Sequence, residues 1–213
     1  MYNFAVGIPT INRADLLNEA LAVYAKCWPS LTIYILDNGN QNIVTQSPKH
    51  IVLKSSTNMG VAASWNFLAE KSFSEGFLRV LMLNDDIILD RDEHELHLRL
   101  NKYSDHELIL QDGTWCSFIL PKVVYDMVGP FDEDFYPAYF EDNDYEYRIK
   151  LDEHCEVQID SVLNPTTYRN SMTIQKDPTL NKEFQANQDR YVRKWGGKPS
   201  YEWYKKPFQG RYE

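Results

Sequence analysis

Residues 77–89 read FLRVLMLNDDIIL. The apolar run Val80, Leu81, Met82 and Leu83 stops at Asn84, Asp85 and Asp86, and apolar residues resume at Ile87, Ile88 and Leu89. A near-continuous apolar strand is what a parallel sheet covered on both faces requires. Carboxylates at the carboxyl end of such a strand stand where open α/β sheets bind ligands. Two adjacent acids repel unless something positive joins them, and a hard divalent cation with oxygen ligands is the obvious partner. A polar turn that merely closes a buried strand accounts for the same residues about equally well.

Upstream of this stretch, strand and helix patterns alternate. Residues 2–8 (YNFAVGI) read as a strand stopped by Pro9. Residues 14–26 place Leu17, Ala20, Leu21 and Tyr24 at helical spacing. Residues 31–36 (LTIYIL) form a strand closed by Asp37, Asn38, Gly39 and Asn40, which is strong turn chemistry. Residues 50–54 are a third strand, and 61–72 a helix with Ala62, Trp65, Phe67 and Leu68 facing mostly inward. This alternation points to a doubly wound parallel sheet with right-handed crossovers.

Downstream the pattern is less regular. Residues 90–105 are highly charged and read as a surface helix or loop. Strands over 107–111 and 114–120 flank Asp112-Gly113, a good hairpin turn. A short helix over 122–128, an aromatic loop over 129–140, and a helix over 141–151 with Tyr145 and Ile149 on one face follow. Then come a strand over 156–162, a polar loop over 165–178 and a helix over 180–195, with Arg190, Arg193 and Lys194 on a solvated face. An aromatic, basic tail spans 196–213.

Composition narrows the class. A chain of 213 residues suits one domain with a proper core. The net charge of −9 argues against extensive binding along a nucleic-acid backbone. Cys27, Cys116 and Cys155 are odd in number and lack metal-type spacing, which suits a reducing compartment. The chain opens on a strand-like run, so no signal peptide is expected. No run of about 18 apolar residues offers a membrane span. A cytoplasmic protein is the expectation. The five histidines read as surface or core residues.

Acids concentrate again over 132–146, where seven of fifteen residues are Asp or Glu, interrupted by Phe135, Tyr136, Tyr139 and Phe140. Carboxylates held against a partly dry aromatic wall have raised pKa values, in the direction a general base needs. A helix N-terminus enriched in acids by the helix dipole is the plainer account.

Here the string GPFDEDFYPAYFEDNDYEYRIK (129–150) resembles the hallmark of the family 2 glycosyltransferases with the GT-A fold. There a Gly-x-Phe-Asp-Glu segment leads through aromatics into a Glu-Asp-x-Asp-x-x-x-Arg run. Other landmarks follow in the family's order: VGIPTINR (6–13), ILDNGN (35–40), NMGVAASWN (58–66), LNDDI (83–87) and RYVRKWGG (190–197). The likeness covers nearly the whole chain. It implies an α/β GT-A fold: a Rossmann-like, mostly parallel central sheet flanked by helices, with a small antiparallel second sheet. The chain would be one domain over 1–213. Residues 1–90 would be its nucleotide-sugar-binding half, 91–195 its acceptor and catalytic half, and 196–213 a tail.

The resemblance also implies roles. Pro9, Thr10 and Arg13 would wall the nucleotide, and Asp37 would hydrogen-bond its base. Asn58 and Gly60 open a helix whose amides favour phosphate. Asp86 would bind Mn²⁺ or Mg²⁺, with Asn84 where the family often has Asp, and Asp85 would contact ribose or sugar. Asp142 would be the general base and Glu141 would shape the acceptor site, with Arg148 buttressing these acids. The donor would be a nucleoside-diphosphate sugar, UDP-linked by preference, and the product would have inverted configuration. The acceptor hydroxyl is open in class, a modified nucleobase included. This sequence departs from the pattern at Asn84 and in residues 161–171, which lack the late-loop His of many relatives; Tyr168 or Asn170 would take that place. Two other readings fit an α/β chain: a nucleotidyltransferase, whose usual Gly-rich loop is missing from residues 9–15, and a non-catalytic carbohydrate-binding protein.

Overall fold

The computed structural model describes residues 3–161, 167–168 and 181–209. Its elements run β1 (Phe4–Thr10), α1 (Ala14–Cys27), β2 (Ile33–Asp37), β3 (His50–Lys54), α2 (Val61–Ser74), β4 (Arg79–Leu83), β5 (Ile87–Ile88) and α3 (Glu93–Leu100). They continue with β6 (Glu107–Gln111), β7 (Thr114–Pro121), α4 (Lys122–Val128), α5 (Glu141–Leu151), β8 (Glu156–Asp160), β9 (Thr167–Tyr168) and α6 (Phe184–Trp195). A seven-stranded sheet has the order β3-β2-β1-β4-β7-β6-β8, and β5 pairs with β9 in a second, antiparallel sheet.

The central strands are apolar because both of their faces are covered. Alternate residues go to opposite sides. Val6, Ile8, Ile33, Ile35, Leu81 and Leu83 join Leu17, Leu21, Tyr24 and Trp28 of the α1 side in one core. Ala5, Tyr34, Leu36, Val80 and Met82 join Trp65, Leu68, Phe118, Val124 and Tyr145 in the other. Phe67 departs from the expected inward face: it is 38% exposed, on the side of the helix opposite the stripe set by Ala62, Trp65, Leu68 and Ala69.

The first strand runs to Thr10, past Pro9. The register explains why proline is tolerated. Val6 N donates to Thr32 O on the β2 side, so Gly7 and Pro9 face β4. The β1–β4 ladder ends at Gly7↔Met82, so Pro9 lies beyond the point where its missing N–H would be needed. At that same point the β1–β4 pairing stops, while Asn84 N still donates to Cys116 O of β7. The two strands therefore splay apart at their carboxyl ends, at the place where the strand order reverses.

The expected hairpin forms with Asp112 (φ 46°) and Gly113 (φ 74°) both left-handed, as a tight primed turn requires. It extends the main sheet antiparallel to β4, and β8 adds to it in parallel. The charged segment after β5 contains a helix capped by Asp92, whose carboxylate accepts from His94 N and Glu95 N. The polar loop expected over 165–178 lies outside the described residues except for 167–168, as does Asn170. Among the described residues no helix is long and apolar enough to cross a membrane.

Candidate active site

A cavity of about 180 Å³ opens where β1 and β4 diverge. Pro9, Thr10 and Ile11 line it from the end of β1, Asn38 from the end of β2, and Asn84, Asp85 and Asp86 from the end of β4. Asn58, Gly60, Val61 and Ser64 contribute the start of α2, and Pro137 and Ala138 close one side. Seven of the residues singled out in the sequence thus meet in one cavity: Pro9, Thr10, Asn58, Gly60, Asn84, Asp85 and Asp86. Arg13, Asp37, Glu141 and Asp142 do not line it.

The acids at the end of β4 are buried, each 6% exposed. Thr10 Oγ1 donates to Asp85 Oδ2 at 2.7 Å. Burial pushes the Asp85 carboxyl up to about 7, helped by the Asp86 charge and opposed by Thr10, Arg13 and the Ile11 backbone. Arg13 is 3% exposed; its charge interacts with both acids while its Nε and Nη2 bond Asp15 at 3.0 and 3.1 Å. The Asp85 carboxylate is thus only partly compensated. Asn84, Asp85 and Asp86 offer oxygen donors alone, which suits Mn²⁺ or Mg²⁺ rather than a softer metal. Among the described residues no group of three or more His, Cys, Asp or Glu converges as a metal cluster. Antiparallel pairing of Ile87 with Tyr168 brings the late segment beside this turn through its backbone.

Asp37 has another occupation. It is fully buried, and its carboxylate accepts from Gly39 N (3.0 Å), Gln41 N (2.8 Å) and Gln41 Nε2 (3.2 Å). Gln41 Nε2 also reaches Thr10 Oγ1 at 3.3 Å, which links Asp37 through Thr10 to Asp85. The cavity-facing member of this loop is Asn38, missed in the sequence. Its Oδ1 accepts Met59 N at 3.1 Å and its Nδ2 donates to Ser64 Oγ at 3.0 Å. Asn-Gly after a strand signals a turn, but not that an amide will pin the next helix.

The start of α2 points its positive dipole end at the cavity, the usual setting for an anion. Gly60 is the N-cap with φ 78°, and a Cβ there would lie 2.9 Å from Pro137 O and 2.8 Å from the Tyr136 ring. Val61 N donates to the same Pro137 carbonyl at 2.8 Å. Gly60→Ala is therefore expected to cost about 1–3 kcal/mol by urea unfolding and to displace the wall formed by Pro137 and Ala138.

That wall leads directly into α5. Tyr139 (φ 79°) and Phe140 (φ 73°) are consecutive left-handed residues, an arrangement costly for large side chains and often found beside functional groups. Phe140 is held in a cluster with Phe135, Tyr191 and Trp195. Glu141 and Asp142 follow. Burial is the main force raising both carboxyls, and the neighbouring Asp142 charge pushes Glu141 well above the usual range. Asp142 Oδ1 accepts Asn143 N at 2.7 Å, and Glu141 Oε2 is buried without a hydrogen-bond partner.

Asp144, three positions after Glu141 on that face of the helix and roughly opposite Asp142, is fully compensated. It is 0% exposed and receives Arg148 Nε at 2.9 Å, Trp195 Nε1 at 2.8 Å and Lys194 Nζ at 2.5 Å. Lys194 also bonds Asp132 at 2.7 Å. Burial raises Asp132, but Lys194, the Asp134 amide and Arg190 together outweigh it and the net shift is downward. Lys194 is thus 6% exposed and part of the core, not of a solvated face, because its acidic partners come from a distant loop and from α5. Arg190 likewise turns to Asp132 and Asp134, while Arg193 is exposed. Arg148 buttresses Asp144 and the carbonyls of Val128 and Pro130, rather than Glu141 or Asp142.

No family model and no curated protein matches the chain. Solved structures do. Glucosyl-3-phosphoglycerate synthase from Mycobacterium tuberculosis, in complex with Mn²⁺, UDP and phosphoglyceric acid, matches with TM-score 0.53 and 10% identity over 87% of this chain and 77% of that one. The same enzyme with Mn²⁺, UDP and glucosyl-3-phosphoglycerate gives TM-score 0.51, 10% identity, and coverage of 87% and 78%. An active-site mutant of LgtC gives 0.45, 11% identity, and coverage of 83% and 81%. With the sheet order above, the first two likenesses establish the GT-A fold.

Proposed function

We propose that this chain is a glycosyltransferase that moves a sugar from a nucleoside-diphosphate sugar, preferably UDP-linked, to an acceptor hydroxyl with inversion and with help from a divalent cation. The observation that carries this reading is the cavity at the switch point, bounded by the start of α2 on one side and by Asn84, Asp85 and Asp86 on the other. A helix start favours the diphosphate, and buried acids favour the cation that accompanies it. The glucosyl-3-phosphoglycerate synthase structures of the same fold hold UDP and Mn²⁺, which supports this reading of the cavity.

Asp86, with the Asn84 amide oxygen, would hold the cation, and Asp85 would face ribose or sugar. When bound, the cation supplies positive charge against that developing on the departing diphosphate. Pro9 and Thr10 would wall the nucleotide, Arg13 would act from behind them through its charge on Asp85 and Asp86, and Asp37 acts by fixing Gly39 and Gln41. Asp142 takes the acceptor proton as the new C–O bond forms and the bond to the diphosphate oxygen breaks. Its raised pKa makes it a better base than an ordinary carboxylate. Attack on the face away from the leaving group inverts the anomeric centre. Glu141, adjacent and less willing to ionise, shapes the acceptor side.

The test needs no acceptor. Incubation with UDP-, GDP- and ADP-sugars and Mn²⁺ should release nucleoside diphosphate slowly, and fastest from a UDP-sugar. The matching diphosphate at a hundredfold excess over Kd should raise Tm by about 5–10 °C. A preference for triphosphates would favour nucleotidyl transfer. No hydrolysis and no stabilisation by any nucleotide would contradict the reading.

A further inference from the structure

The chain is acidic, yet residues 193–209 carry five of its 22 Lys and Arg and one of its 31 Asp and Glu. Lys194 is buried among acids, but Arg193, Lys198, Lys205 and Lys206 are exposed. The backbone that carries them is held firmly. Trp203 N and Tyr204 N both donate to Trp195 O at 3.0 Å, and Phe208 N donates to Lys194 O at 2.7 Å. Tyr147 Oη donates to Tyr204 O at 3.0 Å, and Tyr191 Oη donates to Glu202. The Tyr204 ring lies against Gly196, where a Cβ would come within 2.8 Å of it.

This anchoring sorts the side chains. Glu202 and Tyr204 turn toward the protein. Tyr201 and Trp203 turn out, 76% and 80% exposed, with the two lysines following. Two large rings fixed in water are unfavourable unless something covers them. Trp and Tyr prefer the headgroup level of a bilayer, where one edge is wet and the body is apolar. Lysines beside them gain from anionic lipid. A neutral glycan would use the rings but not the cations, and a second copy of this acidic chain would not be drawn to them over long range.

We propose that Tyr201, Trp203, Lys205 and Lys206 form a docking face for an anionic lipid surface, seated among the headgroups without spanning the bilayer. The inference is independent of the chemistry in the cavity. Trp203 is also its own probe, since Trp28, Trp65 and Trp195 are buried and Trp115 is half-buried.

The experiment titrates the full chain with vesicles of equimolar phosphatidylcholine and phosphatidylglycerol, and with phosphatidylcholine alone, reading tryptophan emission and co-sedimentation. Binding to the anionic vesicles with a blue shift is expected, weakening as salt rises. Trp203→Phe should still bind but lose the blue shift. Tyr201→Ala with Trp203→Ala, and Lys205→Glu with Lys206→Glu, should each weaken binding about tenfold or more while leaving the urea midpoint unchanged. No binding at low salt overturns the proposal, as does equal binding to neutral vesicles or full binding by both double variants. It is equally overturned if the face instead drives self-association, or binds soluble glycans and no vesicles.

Discussion

Asp142→Asn is expected to lower sugar transfer by roughly 10²–10⁴-fold while leaving binding of the nucleoside diphosphate nearly unchanged. Asparagine keeps the shape and can still accept the Asn143 amide, but cannot take a proton. In the unaltered chain the rate should rise with pH along a limb above the usual carboxylate range, because burial raises the Asp142 pKa. The same substitution should make the fold slightly more stable at neutral pH. A carboxyl whose folded pKa exceeds its unfolded value binds protons more readily in the native state. Stability is therefore lost as pH climbs from the unfolded to the folded pKa, and Asn removes that loss. A variant with normal turnover would place the base elsewhere; one that unfolds would make Asp142 structural.

Asp144→Ala should behave in the opposite way. It would strand Lys194, Trp195 Nε1 and part of the Arg148 fork around a 0% exposed site. Breaking one side of a buried ionic group costs about 3–5 kcal/mol, and the urea midpoint should fall accordingly. Lys194 retains Asp132 and Arg148 retains two carbonyls, so the lower half of that range is expected. Transfer measured well below the new midpoint should persist, reduced by loss of order at the start of α5. Two acids two positions apart on one helix thus differ in kind: Asp142 is met by backbone amides and its carboxyl is raised by burial, whereas Asp144 is paired with Arg148 and Lys194.

That distinction could not be read from the sequence, where both are members of one acidic run. Periodicity specified the first four strands and both flanking helices, because alternation and helical spacing follow directly from which face is covered. Asp112-Gly113 specified a hairpin because both residues must accept positive φ. The end of β1 was hidden because whether Pro9 is allowed depends on where a neighbouring ladder stops. Lys194 was hidden because its partners, Asp132 and Asp144, lie 62 and 50 positions away in sequence. The cavity was legible in seven residues because strand ends and a helix start converge wherever a parallel sheet reverses its order. Asp37 turned inward because Gly39 and Gln41 offered it amides, a local bond that competes with any ligand.

In the proposed reaction the acids at the end of β4 would hold a cation that in turn holds the diphosphate. Calorimetric titration of UDP into the chain and into Asp86→Ala, each with and without Mn²⁺, tests it most directly. UDP binding should strengthen at least about tenfold with Mn²⁺ in the unaltered chain and lose that enhancement in Asp86→Ala. UDP binding of equal strength in all four titrations, or none in any, would contradict it.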